Sequence, residues 1–304
     1  MEIYFLGTAG GTPSPDRSLP CTVLRMGGRT LLLDCGEGSQ RQLMISPVSL
    51  MSVDVILLSH LHGDHIFGIP GMLQTMNLFS RSHPLSIMGP RGTIYVMGLL
   101  METVGNDLGY SVNVEELCHG DKREVLGLRL EAVETEHNVP SLGYVLREPP
   151  RPGKFHPERA KELGIPAGPL YSRLQKGEAI EIEGRVIKPG DVMGPLRRGR
   201  SLSYSGDTLP SDSFAHASRG VDLMIHEATF GDDMAEHAAI SFHSTARQAA
   251  EVAKKADAAT LIMIHISQRV VSDLDLEDEA RAVLGNVPAV VARDFDSFRL
   301  LAKD

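Results

Sequence analysis

His60, His62, Asp64 and His65 fall within six residues of one another, in the stretch LLSHLHGDHIFG at positions 57–68, directly after an apolar run. Such a cluster is costly for a fold unless something binds it, because charged and polar groups held together need compensating partners. Alternating His60 and His62 can point to one side for a first metal ion, while Asp64 and His65 turn toward a second. Gly63 is expected to supply the tight backbone path between the two pairs. With no thiolate nearby, imidazole and carboxylate suit zinc or another borderline divalent ion in a hydrolytic site better than a structural cysteine site. Four side chains cannot saturate two ions, so further ligands must come from elsewhere. His137 closes LRLEAVETEH, Asp207 follows SLSYSG and His265 ends ATLIMIH, each a ligand-type residue at the end of an apolar run. Strand ends converge on one rim in layered α/β folds. The seven residues therefore form one candidate set, with Asp207 as its candidate bridge.

The elements that must position this set are short apolar strands alternating with a few helices. EIYFLG, TVLRM, TLLLDCG, VDVILLSH, LSIMGP and LRLEAVETEH read as strands, several bounded by glycine. GMLQTMNLF and TIYVMGLLMETV read as helices. So does HSTARQAAEVAKKADA, which Ser244 or Thr245 can cap and whose Lys254 and Lys255 suit the C-terminal end of the dipole. ATLIMIHIS returns as a buried strand, and DLEDEARAVL is a final helix. No internal repeat is evident.

Composition narrows the function classes. The chain has 304 residues, 42 % of them hydrophobic and 23 % charged, as in a soluble globular enzyme. Three cysteines, odd in number and in no CxxC pattern, argue against a disulfide framework. The opening MEIYFLGTAGG has an apolar stretch too short for a signal peptide, and no run approaches a membrane span. A cytoplasmic protein with no membrane partner is expected.

The net charge of −9 is unevenly spread. Residues 147–200 carry 12 Lys/Arg and 7 Asp/Glu, a net of +5, which leaves 18 Lys/Arg and 32 Asp/Glu, a net of −14, for the rest. The same 54 residues hold 16 of the chain's 48 prolines and glycines, so REPPRPGKFHP and LGIPAGPL are expected to be irregular. Such an insertion is an unstructured surface segment or a functional loop, and its basic excess favours the latter. Two other stretches leave both readings open. GTAGGTP cradles a phosphate or is a plain glycine-rich turn. GEGSQRQL places Ser39, Gln40 or Arg41 near a substrate or starts a helix.

The HxHxDH run after a strand, the later His137, the SGDT aspartate Asp207 and the final His265 resemble the metallo-β-lactamase superfamily. That resemblance implies an α/β (α+β) fold, a four-layer αββα sandwich with a dinuclear site at one edge. By position it implies His60, His62, His137 and Asp207 on one zinc, and Asp64, His65, Asp207 and His265 on the other, two Zn²⁺ per subunit. Within the superfamily the chain is similar to the ribonuclease Z family of tRNA 3′-processing endonucleases. The matching pieces run nearly end to end: FLGTAGGTPSPDRS, LLLDCGEGSQRQL, SHLHGDHIFGIPGML, ETEHNVPSLGY, LGIPAGPLYSRLQKG, YSGDT, HEATF, HSTA and HISQR. Ser39 stands where the family carries Thr, and Val270 where an aromatic is common.

The family resemblance implies one catalytic domain over residues 1–304 with a protruding, flexible, basic tRNA-binding arm inserted at 147–200. It implies Asp64 as general base, His243 as the acid for the leaving oxygen and Glu227 as the residue that orients His243. It implies precursor tRNA as substrate and a homodimer in which one subunit's arm serves the other's site. Phosphodiester hydrolysis independently needs an activated water, charge neutralisation and a proton for the leaving oxygen, which such a set supplies. A small-substrate phosphodiesterase of the same fold is the competing expectation.

Overall fold

A computed structural model describes residues 1–104 and 107–302. These residues fall into two compact units, one built from Met1–Arg147 with Ser201–Leu301 and the other from Glu148–Arg200.

The first unit is organised by period-two burial along its strands. In Arg29–Leu33, Leu31 and Leu33 join one apolar cluster while Leu32 joins another. In Val53–Leu57, Val55 and Leu57 face the first of these clusters and Ile56 the second. Successive side chains on a strand point to opposite faces, so a sheet that is apolar on both faces must be covered on both. Two seven-stranded sheets meet this demand. The first orders its strands as Ser297–Arg299, Glu2–Gly7, Cys21–Met26, Arg29–Leu33, Val53–Leu57, Leu85–Gly89 and Val112–Glu116. The second orders Ala289–Val291, Leu261–Ile264, Leu223–Glu227, Ser201–Tyr204, Leu142–Arg147, Leu128–Glu134 and Lys122–Val125.

Between the sheets lies a core drawn from both, including Ile3, Leu31, Leu57, Tyr144, Leu202 and Ile225. The outer face of the first sheet is covered by helices Ser39–Ile45 and Gly68–Leu78, through Leu43, Ile69, Met72 and Met76. The outer face of the second is covered by helices Ala246–Lys255 and Asp273–Leu284, through an alanine-rich stripe and Leu276. The unit is thus the expected αββα stack. Among the described residues no helix is long and apolar enough to cross a membrane.

Direction of travel gathers the site. Ser201–Tyr204, Leu223–Glu227 and Leu261–Ile264 are mutually parallel. Leu142–Arg147 runs against Ser201–Tyr204, and Leu128–Glu134 runs against Leu142–Arg147. Leu128–Glu134 therefore ends on the same edge as the other three. In the first sheet Arg29–Leu33 and Val53–Leu57 are parallel, so Asp34 and Ser59 emerge together.

The unit Glu148–Arg200 is more regular than its proline and glycine content suggests. Proline opens three short helices, Pro157–Glu162, Pro169–Gln175 and Pro189–Val192, at the first-turn positions where a missing N–H has no consequence. A two-residue turn at Glu183 and Gly184, both at positive φ, joins strands Ile180–Ile182 and Arg185–Ile187. Ala160, Ile165, Leu174, Ile180, Ile187 and Val192 are buried together. The stretch LGIPAGPL, expected to be irregular, thus leads into a helix, because its second proline initiates rather than breaks one.

Thr245, not Ser244, caps helix Ala246–Lys255. It accepts from the Gln248 N–H, and the Gln248 side chain returns the bond to the Thr245 N–H. Replacing Thr245 with Ala should cost about 1 kcal/mol of stability, read as a lower urea midpoint at unchanged slope.

Candidate metal centre

The chain turns sharply after strand Val53–Leu57. Ser59 and His60 continue it, and helix Gly63–Ile66 follows at once, carrying Asp64 and His65. Gly63 opens the short helix without a positive φ, and the tight path there needs a residue without a side chain, since a Cβ would lie 2.3 Å from the Phe67 ring.

All seven expected ligand residues converge. His60 Nε2 lies 2.9 Å from His62 Nδ1, which lies 3.3 Å from His137 Nε2. Asp207 Oδ2 lies 3.7 Å from His60 Nε2, 3.4 Å from His65 Nε2 and 3.2 Å from His265 Nε2. Asp64 Oδ2 lies 3.5 Å from His65 Nε2 and 3.6 Å from His265 Nε2. The set forms two separate triads, His60, His62 and His137 and Asp64, His65 and His265, which a third triad of His60, His65 and Asp207 links.

These spacings fit a cation. Tetrahedral ligands about 2 Å from an ion stand roughly 3.3 Å from one another. Moreover, His65 Nε2 and His265 Nε2 are buried without a hydrogen-bond partner among the described residues. Buried polar atoms are rarely left unpaired. A divalent metal supplies what they lack.

In four of the five candidate histidines the other ring nitrogen is spoken for, which fixes the tautomer. His65 Nδ1 donates to Asp34 Oδ2 at 2.8 Å. His60 Nδ1 donates to Ser59 Oγ at 3.0 Å, since that hydroxyl is itself spent on Asp34. His137 Nδ1 donates to the Phe242 carbonyl at 3.0 Å. His265 Nδ1 donates to Thr229 Oγ1 at 2.8 Å, and that hydroxyl donates onward to Glu227. His62 differs, presenting Nδ1 to the cluster.

Electrostatics agree with the donor set. Burial holds the pKa of His60, His62 and His137 below the usual imidazole value, which keeps their lone pairs available. Burial opposes ionisation of Asp64 and Asp207, but the surrounding histidines outweigh it and hold both carboxyls well below the usual range. His65 behaves oppositely: burial lowers its pKa, yet Asp207 and Asp34 override it and raise it.

Three residues at the site have left-handed backbone. Asp34, Phe242 and His265 adopt φ of 61°, 60° and 60°, conformations that cost a non-glycine residue about 1–3 kcal/mol each. Gly206, beside Asp207, has φ 60°, and a Cβ there would lie 2.4 Å from Ser59 Cβ. The glycine-rich turn GTAGGTP is occupied by the chain itself. The Gly11 N–H donates to Asp64 Oδ2 at 3.1 Å, and a Cβ on Gly10 would lie 2.7 Å from His265 Nδ1. The GEGSQRQL stretch starts helix Ser39–Ile45, with the Ser39 hydroxyl buried on the Gly36 carbonyl.

His243 and Glu227 stand beside the cluster. His243 Nδ1 donates to Glu227 Oε1 at 2.9 Å and lies 4.0 Å from Asp207 Oδ2. It is close enough to Asp207 and His265 to count among ligand candidates, but its Nδ1–H is committed to Glu227. Glu227 is buried and also accepts from the Thr208, Thr229 and Ser244 N–H groups. Burial lowers the His243 pKa, but the Glu227 charge and hydrogen bond prevail and push it up to about 9. Four supporting residues were not among those expected from sequence: Asp34, Ser59, Thr229 and Phe242. Asp34 alone carried a signal, as a carboxylate closing an apolar strand.

Comparison with known proteins bears on this geometry. The family profile described as anti-Pycsar protein Apyc1 matches residues 1–149, and that of a beta-lactamase superfamily domain matches residues 176–266. The chain is 44 % identical over 295 residues to ribonuclease Z of Methanosarcina acetivorans, covering 97 % of this chain and 96 % of that one. It is 43 % identical over 303 residues to ribonuclease Z of Archaeoglobus fulgidus, covering 99 % and 98 %. Among solved structures, human tRNase Z, short form, is 26 % identical with a TM-score of 0.70, covering 98 % of this chain and 99 % of its own. The metallo-beta-lactamase fold protein YhfI of Bacillus subtilis shares the fold at 19 % identity and a TM-score of 0.71, covering 98 % of each chain.

Asp34 gathers Ser59, His65 and Tyr204 on one carboxylate. Asp34→Asn places an amide donor among three others and should weaken metal binding by roughly 10- to 100-fold, as measured by competition with a chromogenic chelator.

Proposed function

The chain belongs to the ribonuclease Z family, and from that premise we propose a reaction: hydrolytic removal of the 3′ trailer from precursor tRNA, leaving a 3′-hydroxyl on the tRNA. The observation that carries it is the convergence of seven candidate ligand side chains beside a histidine, His243, held by the buried Glu227 carboxylate. We propose two Zn²⁺, held by His60, His62, His137 and Asp207 and by Asp64, His65, Asp207 and His265. Bound there, they supply an acidified water and neutralise charge on the phosphoryl oxygens.

The chain's own groups then complete the proton path. Asp64, ionised and steadied by the Gly11 N–H, accepts the proton of the attacking water. The water oxygen bonds to phosphorus as the bond to the 3′ oxygen breaks. His243 gives its Nε2 proton to that leaving oxygen, while Nδ1 stays on Glu227. Four further hydrogen bonds fix the Glu227 carboxylate, so the imidazolium it holds cannot swing away. The products are a tRNA 3′-hydroxyl and a trailer that keeps the phosphate.

We assign tRNA gripping to residues 147–200. Their net charge of +5 supports this against a body at −14, since phosphate contacts must concentrate where cations are. Recognition by shape and backbone suits folded RNA. A homodimer is supported by large apolar side chains left exposed on and after helices Gly68–Leu78 and Thr93–Val104, among them Leu78, Phe79, Ile94, Tyr95 and Leu99. Large apolar side chains left exposed on two helices that pack together favour association. A cytoplasmic location is supported by the tRNA substrate proposed and by three free cysteines, which suit a reducing compartment.

Deleting residues 149–195 should abolish cleavage of precursor tRNA and spare hydrolysis of a small aryl phosphodiester, in a gel assay run beside a chromogenic one. Rapid turnover of the small diester by the intact chain, with no cut in any precursor tRNA, would point instead to a small-substrate phosphodiesterase. His243→Ala should lower kcat by roughly 10²- to 10⁴-fold. The acid acts in its protonated form and holds its proton up to about pH 9, so the rate should fall as pH rises through that value. Glu227→Gln removes the charge that raises the pKa, so the falling limb should move to lower pH, as a full pH–rate profile would record.

A further inference from the structure

Phe242 contributes a ring that neither the ligand set nor the proton path uses. The side chain is 39 % exposed and belongs to none of the apolar clusters among the described residues. Its backbone is held at φ 60°, a conformation a bulky residue adopts only when its surroundings impose it. The same conformation turns its carbonyl onto His137 Nδ1, and the next residue is His243. The ring lines, with His137, a cleft of 1060 Å³ whose walls also include Arg91, His119, Glu134 and Glu136. Arg91 and the two glutamates bring both signs of formal charge to one cleft. A cleft of mixed charge with an aromatic wall suits a nucleobase better than a run of phosphates.

Resting on the tRNA-cleaving reading above, we propose that Phe242 is the stacking platform for the unpaired base immediately 5′ to the scissile bond. The oxygen that His243 protonates is the 3′ oxygen of that nucleotide. Its base is therefore the one within reach of the residue next to His243. A base already free of pairing reaches the ring without the cost of opening a helix. Stacking on an aromatic face also tolerates any base, because every base presents a π-face. That tolerance suits an enzyme whose substrates differ at this position. Phe242 is thus a positioning residue that sets the leaving oxygen against the acid.

The test uses three matched precursor tRNAs: one intact, one abasic at the nucleotide 5′ to the cut, and one abasic at the first trailer nucleotide. For the wild-type enzyme, kcat/KM should fall roughly five- to 150-fold on the second substrate and little on the third. Phe242→Leu should cleave the first two alike, at about the wild-type rate on the abasic one. Phe242→Tyr should restore the difference. Metal content of both variants should equal wild type, because the carbonyl and not the ring holds His137. The proposal is overturned if Phe242→Leu remains as sensitive to base removal as wild type. It is equally overturned if sensitivity follows the trailer base, or if Phe242→Leu loses metal while Phe242→Tyr keeps it. Failure of the wild-type enzyme to cut any precursor tRNA would instead reject the reading on which the proposal rests.

Discussion

Asp34 sets a carboxylate at a point with no solvent exposure, and four donor groups converge on it. The Ser59 N–H and hydroxyl come from the strand neighbouring its own, His65 Nδ1 from the ligand helix and the Tyr204 hydroxyl from the other sheet. A buried charge left unpaired is severely unfavourable, so the two sheets must meet at this register for the chain to fold. The same contacts orient His65 directly and His60 through Ser59. Stability of the sandwich and preorganisation of the ligands are therefore one constraint. The left-handed backbone at Asp34 is tolerated because four bonds hold it there.

Glu227 plays the matching part on the far side of the cluster. It closes strand Leu223–Glu227 and binds three backbone N–H groups, the Thr229 hydroxyl and His243. Through Thr229 it holds Nδ1 of His265, and directly it holds Nδ1 of His243. One carboxylate thus fixes both a member of the candidate ligand set and the histidine beside it. Asp34 and Glu227 both act on histidines, with different results because their histidines differ in surroundings. His65 Nε2 faces Asp207 and Asp64 without a hydrogen-bond partner among the described residues, whereas His243 commits its Nδ1 to Glu227.

The clustered ligands His60, His62, Asp64 and His65 were legible because their types are improbable so close together, and His137, Asp207 and His265 because each ends an apolar run. The same rule would have found Asp34, which closes Arg29–Leu33. Nothing local marks Ser59, Thr229 or Phe242, whose importance lies in a hydroxyl or a carbonyl that any polar or bulky residue could offer elsewhere. Gly63 makes its turn as a helix start, at a place with no room for a Cβ. The regular elements of Glu148–Arg200 were hidden because proline at a first helical turn and proline within a helix look alike in a short window.

By itself the sequence determined residue types, their spacing and the alternation of apolar positions, and these are local properties. They are enough to call for a layered α/β unit, a divalent-metal hydrolytic site and a separate basic segment. Only the tertiary structure decided which nitrogen of each histidine faces the cation, that Asp207 stands beside both ligand groups, and that Asp34 and Tyr204, 170 residues apart, share one hydrogen bond. Those outcomes follow from the direction and register in which distant strands pair. Strand pairing is fixed by packing across the whole sandwich, and no short window contains it.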